Sequence, residues 1–136
     1  MARVLLVEDD TAIRDLMMLA LEDADHVAWS VSDGREALPA AMAARPDVIV
    51  LDYLLPFLHG GEVIAQLNGN PELARIPVVL CTALSPCELD LNSLPARVTP
   101  LFKPFDLDTF LDLVSRLCPT LLAPVAVPTT MPEAAE

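Results

Sequence analysis

Aliphatic runs alternate along this chain with segments whose apolar positions recur every three or four residues. Arg3–Val7 is a short run of strand length. From Asp10 to Glu22 the residues Ile13, Leu16, Met17, Ala20 and Leu21 follow the spacing of a one-faced helix, with Asp10 or Thr11 placed to cap it. His26–Val31 reads as a second strand, closed by the turn signal Asp33-Gly34. Glu36–Arg45 is Ala-rich and helical, and Pro39 suits it only within the first turn. Val48–Leu51 is apolar without alternation, the pattern of a strand buried on both faces. After Pro56 and Gly60-Gly61, Glu62–Leu67 begins a third helix that ends near Asn68-Gly69. Val78–Thr82 is a fourth strand, and Val98–Phe102 a fifth, interrupted by Pro100. Leu107–Cys118 closes the pattern with Leu107, Phe110, Leu111, Val114 and Cys118 on one helical face.

Continuous apolar strands separated by amphipathic helices predict an α/β fold, a doubly wound five-stranded parallel sheet covered by helices on both sides. Ligands in such folds sit at the carboxyl ends of the strands, where strand order reverses. One helix breaks the regularity. Between Leu84 and Arg97, Pro86 and Pro95 confine the expected fourth helix to a short or irregular piece. Past Cys118 the prolines 119, 124, 128 and 132 punctuate an Ala-, Thr- and Val-rich stretch. The expected organisation is a domain over residues 1–118 and a Pro-rich C-terminal tail over 119–136.

Composition narrows the function. A chain of 136 residues fits one domain, and 54% hydrophobic with 4% aromatic residues means an aliphatic core and excludes a disordered chain. The formal net charge of −12 makes phosphate backbones and anionic lipid poor partners, so neither nucleic acid nor membrane is expected. Cations and basic protein surfaces are better ones. Cys81, Cys87 and Cys118 lack metal-type spacing, and no run approaches a signal core or a membrane span. A reduced, cytoplasmic protein is the expectation.

The strand ends carry the chemistry. The first ends in Glu8-Asp9-Asp10, the third in Asp52, the fourth in Thr82 and the fifth in Lys103. Each has an ordinary explanation alone, as a helix cap, a strand terminus or a solvated lysine. Asp52 is harder to dismiss, because it interrupts an apolar run where an unpaired carboxylate is costly. In a sheet ordered 2-1-3-4-5, Glu8, Asp9 and Asp52 converge. Two unit charges ~4 Å apart repel by about 4 kcal/mol at an intermediate dielectric, so three carboxylates raise their pKa values or recruit a divalent cation. Hard oxygen ligands suit Mg2+. With Thr82 and Lys103 added, the site is shaped for a phosphoryl group, and Asp52 has the best claim to attack phosphorus.

Five stretches occur together in order: Val4-Leu5-Leu6-Val7-Glu8-Asp9-Asp10, Pro46-Asp47-Val48-Ile49-Val50-Leu51-Asp52, Leu55-Pro56 followed by Gly60, Thr82-Ala83, and Phe102-Lys103-Pro104-Phe105. In these the chain resembles the receiver domain of two-component response regulators, of the single-domain, chemotaxis-regulator-like kind. The resemblance implies a flavodoxin-like sheet and a phosphoacceptor, Asp52, charged by the phosphohistidine of a sensor histidine kinase or a histidine phosphotransfer protein. By the same resemblance Asp9 and Asp52 hold Mg2+ directly, with the main-chain carbonyl of Leu54, and Glu8 acts through water. Lys103 and Thr82 then meet phosphoryl oxygens. The output would pass to a protein partner.

Pro100 departs from the family, which usually carries an aromatic residue three positions before the lysine. That departure sustains an alternative, a receiver-shaped binding module independent of phosphorylation. A flavin-binding domain of the same topology fits poorly, since Glu8-Asp9-Asp10 would repel the flavin phosphate. Of the remaining residues, His26 and His59 are expected at the surface, Cys81 as a small core residue, and Trp29 in core or helix packing.

Overall fold

Among the described residues five short, mostly apolar segments form strands: β1 (Arg3–Val7), β2 (Val27–Val31), β3 (Val48–Asp52), β4 (Val78–Thr82) and β5 (Val98–Phe102). Among the described residues the helices are α1 (Thr11–Asp23), α2 (Gly34–Ala44), α3 (Gly60–Asn68) and α4 (Leu107–Leu117). The computed structural model describes residues 2–55, 58–83, 95 and 97–117. The expected short helix between Leu84 and Arg97 and the tail over 119–136 lie outside them.

All pairings are parallel, in the order β2-β1-β3-β4-β5. This is the doubly wound, flavodoxin-like arrangement that the hydrophobic pattern predicts. Alternating side chains divide the core into two layers. Val4, Leu6, Val48, Val50, Val79 and Cys81 pack with Met17 and Leu21 of α1 and with Phe110, Leu113 and Val114 of α4. Leu5, Val7, Ile49, Leu51 and Leu80 pack with Ala37 and Ala41 of α2 and with Val63, Ile64 and Leu67 of α3. Burying each Leu, Val or Ile contributes about 1.5–3 kcal/mol, so the layers hold the sheet rigidly behind its carboxyl end.

Three expectations are corrected. The α2 helix begins at Gly34 rather than Glu36, because the Asp33 carboxylate caps it by accepting the Arg35 N–H at 2.7 Å. Pro39 therefore stands past the first turn, inside the helix. His26 is buried rather than superficial, its Nδ1 accepting the Ala2 N–H at 2.9 Å. Trp29 is 38% exposed on the edge strand β2, not in the core, with the Arg3 guanidinium 5.5 Å from its ring centroid. Cys81 is buried in the core as expected, and His59 is exposed, at the start of α3.

Pro100 lies in the other edge strand. Val78 donates to the Arg97 carbonyl at 3.1 Å and Lys103 to the Thr82 carbonyl at 2.7 Å, so the odd-numbered residues of β5 face β4. The missing N–H of Pro100 falls on the open side, where it breaks no bond of the sheet.

Candidate functional site

Register and side-chain parity assemble the site. β1 and β3 pair Val4 with Val48 through Val7 with Leu51. One step further, Glu8 falls beside Asp52, and both project on the α1/α4 side as Leu6 and Val50 do. Asp9 follows in the turn into α1, whose N-cap Asp10 accepts the Ile13 N–H at 3.0 Å. Glu8, Asp9 and Asp52 each offer a carboxylate oxygen, all within 4.8 Å of one another. Glu8 and Asp52 are buried and Asp9 is exposed, so the cluster opens to solvent on one side.

Lys103 closes the other side. Its Nζ lies 3.1 Å from Asp52 Oδ1 and 3.8 Å from Glu8 Oε1. The bond between Lys103 N–H and the Thr82 carbonyl anchors its backbone, and the following Lys103–Pro104 peptide is cis. Thr82 is buried at the end of β4, one residue beyond Cys81, the β4 partner of Asp52. Leu54 is exposed in the loop after β3.

Charge crowding shows in the titration behaviour. Burial pushes the Glu8 carboxyl up to about 7; the Asp10 N–H bonded to it works against this, and the neighbouring Asp52 charge adds to it. Burial also raises Asp52, against the pull of Lys103. Partial burial draws Lys103 down, but the carboxylates of Asp52 and Glu8 outweigh it and hold the ammonium above its usual range. Burial first, then the Asp52 charge, pushes the Cys81 thiol up to about 12, so it stays protonated and inert. One lysine does not balance three acids. The donors are all carboxylate oxygens, partly open to water, and fit a hard divalent cation such as Mg2+ better than a soft one.

Two glycines bring the loop after β3 back against the site. A Cβ on Gly60 would sit 2.9 Å from Tyr53 Cα and 3.0 Å from the Asp52 carbonyl oxygen. A Cβ on Gly34 would run into the carbonyl oxygen of Leu58. Gly34 reads in sequence only as the end of a turn, since nothing local announces a loop returning from 24 residues away. Arg14 was likewise not foreseen: its Nη1 donates to the Glu8 carbonyl at 3.4 Å, one turn into α1.

A parallel sheet with acids at the ends of β1 and β3 and a lysine opposite them is the arrangement of a two-component receiver domain. The chain belongs to the response regulator receiver domain family, whose model matches residues 4–115. It is 34% identical over 118 residues to the DNA-binding dual master transcriptional regulator RpaA of Synechocystis, covering 86% of this chain and 49% of that protein. The chain thus spans about half the length of that relative. Among solved structures, the chemotaxis response regulator CheY4 of Vibrio cholerae superposes with TM-score 0.78 at 32% identity, over 86% of this chain and 98% of that one. The receiver domain of the sensor histidine kinase PA1611 from Pseudomonas aeruginosa, solved with a magnesium ion coordinated in its active site cleft, gives TM-score 0.77 at 26% identity, over 87% and 98%.

Proposed function

We propose that the chain is a cytoplasmic phosphoacceptor and that Asp52 receives the phosphoryl group. The observation that carries this is the Lys103 ammonium 3.1 Å from Asp52, inside a cluster of three converging carboxylates at the sheet's carboxyl end. Asp9, Asp52 and the Leu54 main-chain carbonyl would hold Mg2+, with Glu8 reaching it through water. When bound, the ion supplies positive charge against the acids and against phosphoryl oxygens.

The protein's own groups do the rest. A carboxylate oxygen of Asp52 forms the bond to phosphorus while the bond from phosphorus to the donor's imidazole nitrogen breaks, its electron pair leaving with the nitrogen. Lys103 stays charged and meets one phosphoryl oxygen, and the Thr82 hydroxyl meets another. The donor is the phosphohistidine of a sensor histidine kinase or a histidine phosphotransfer protein. With a net charge of −12 on the chain, the downstream partner is a protein rather than nucleic acid.

The test is incubation with a small acyl phosphate and Mg2+, followed by intact mass measurement of wild type and Asp52→Asn. One added phosphoryl group in the wild type alone is the expected result; none in either, or one in both, overturns the assignment. Pro100 favours one second reading, a binding module whose partner affinity is unchanged by Asp52→Ala.

A further inference from the structure

Beside the carboxylate cluster, α1 and α4 leave an apolar groove between them. Two cavities of about 500 and 320 Å³ share Leu16 and Leu107 and so run together along the two helices. Leu16 and Leu19 are 52% and 56% exposed there, and Ile13 and Leu111 continue the apolar wall. Contiguous exposed aliphatic surface of this kind marks a place meant to be covered.

We propose that residues 119–132 of this same chain fill the groove. α4 forms one wall of it and is described as far as Leu117, so the segment that follows starts from the groove's own side. Returning from Leu117 to the level of Leu107 takes about 15 Å, whereas fourteen residues in extended polyproline form span about 43 Å. The segment carries Leu121, Leu122, Val125, Val127 and Met131, with no charged side chain from Cys118 to Pro132. Asp23 and Asp108 flank the lower end of the groove. A second copy of a chain with net charge −12 would bring like charge against these acids, while the neutral segment does not. Prolines at 119, 124, 128 and 132 restrict the chain before it docks and so lower the ordering cost. Tethering supplies a millimolar-scale effective concentration. The upper end of the groove includes Lys103 and Ala83, so the docked segment lies next to the mouth of the phosphoacceptor site.

Methyl NMR on the full chain tests this. Cross-peaks are expected between the methyls of Leu121, Leu122, Val125 or Val127 and those of Leu16, Leu19 or Leu111, unchanged on dilution. The full-length variant Leu122→Asp/Val125→Asp should lose them and bind an apolar fluorescent dye several-fold more strongly than wild type. Tail methyls at random-coil positions without cross-peaks overturn the proposal. So do cross-peaks that vanish on dilution together with a dimer in sedimentation, which would assign the groove to a second copy. Equal dye binding by wild type and variant also overturns it, leaving the groove to another protein.

Discussion

Lys103 and Asp52 form the contact on which the site's electrostatics turn, and a double-mutant cycle measures it. The perturbation is Lys103→Met, Asp52→Asn and the pair together, unfolded by urea in metal-free buffer at pH 8. At 3.1 Å, two unit charges attract by about 5 kcal/mol at an effective dielectric of ~20 and by about 1 kcal/mol in bulk water. The Lys103 side chain is 27% exposed, so solvent screens part of the interaction, and the expected coupling is about 2 kcal/mol. Lys103→Met alone destabilises, since it leaves Asp52 and Glu8 without their opposing charge. Asp52→Asn alone costs little or stabilises, because it removes a buried charge from beside Glu8 and Asp9. In the Asp52→Asn background, Lys103→Met loses only the longer Glu8 contact at 3.8 Å and costs correspondingly less. Additivity within about 0.5 kcal/mol would refute the reasoning, for it would mean that ammonium and carboxylate do not face each other in solution.

Other outcomes follow from the same geometry. Mg2+ at about ten times its dissociation constant should stabilise wild type by about 1.4 kcal/mol and Asp52→Ala far less, and an equal shift in the urea midpoint of both would remove Asp52 from the metal site. Burial and the chain's amino terminus hold His26 below its ordinary pKa, against the Asp25 charge. The unfolded chain therefore takes up this proton first, and stability falls as pH drops below about 6.5. The stability difference between wild type and His26→Asn should be flat above pH 7 and shrink below that point; parallel pH profiles would count against a buried neutral imidazole. Gly34→Ala should cost about 1–3 kcal/mol, because the new methyl meets backbone at Leu58. Gly61→Ala, with open space around its Cβ, should be neutral or stabilise α3 by up to about 1 kcal/mol, and equal effects in calorimetry would show that the close approach is not what matters.

The strands were readable because parallel strands buried on both faces leave unbroken aliphatic runs. β1 and β4 begin and end where those runs do, β3 gains only Asp52, and β5 keeps its expected bounds although Pro100 interrupts its run. The site was readable for a related reason. Charged or hydroxyl groups stand out against such runs, and parallel topology then brings the ends of β1 and β3 side by side. What escaped depends on distant partners. His26 is polar in sequence and buried in the fold because it accepts the N–H of Ala2, 24 positions away. Trp29 looks like core by size, yet β2 is an edge strand and the ring packs under Arg3 instead. The start of α2 turned on a single cap, since Asp33 draws the helix back to Gly34 and so carries Pro39 inside it. Gly34 and Arg14 matter through contacts that no local spacing announces.

Pro100 has a bearing on how the molecule survives at high concentration. An unprotected outer strand offers a ladder of unused amides on which a neighbouring molecule's strand can zip, the first step toward fibrils. On β5 that ladder lacks a rung at its middle residue, so an incoming strand would meet a carbonyl with no amide beside it. A residue that costs the sheet nothing internally thus keeps separate molecules from joining along that flank.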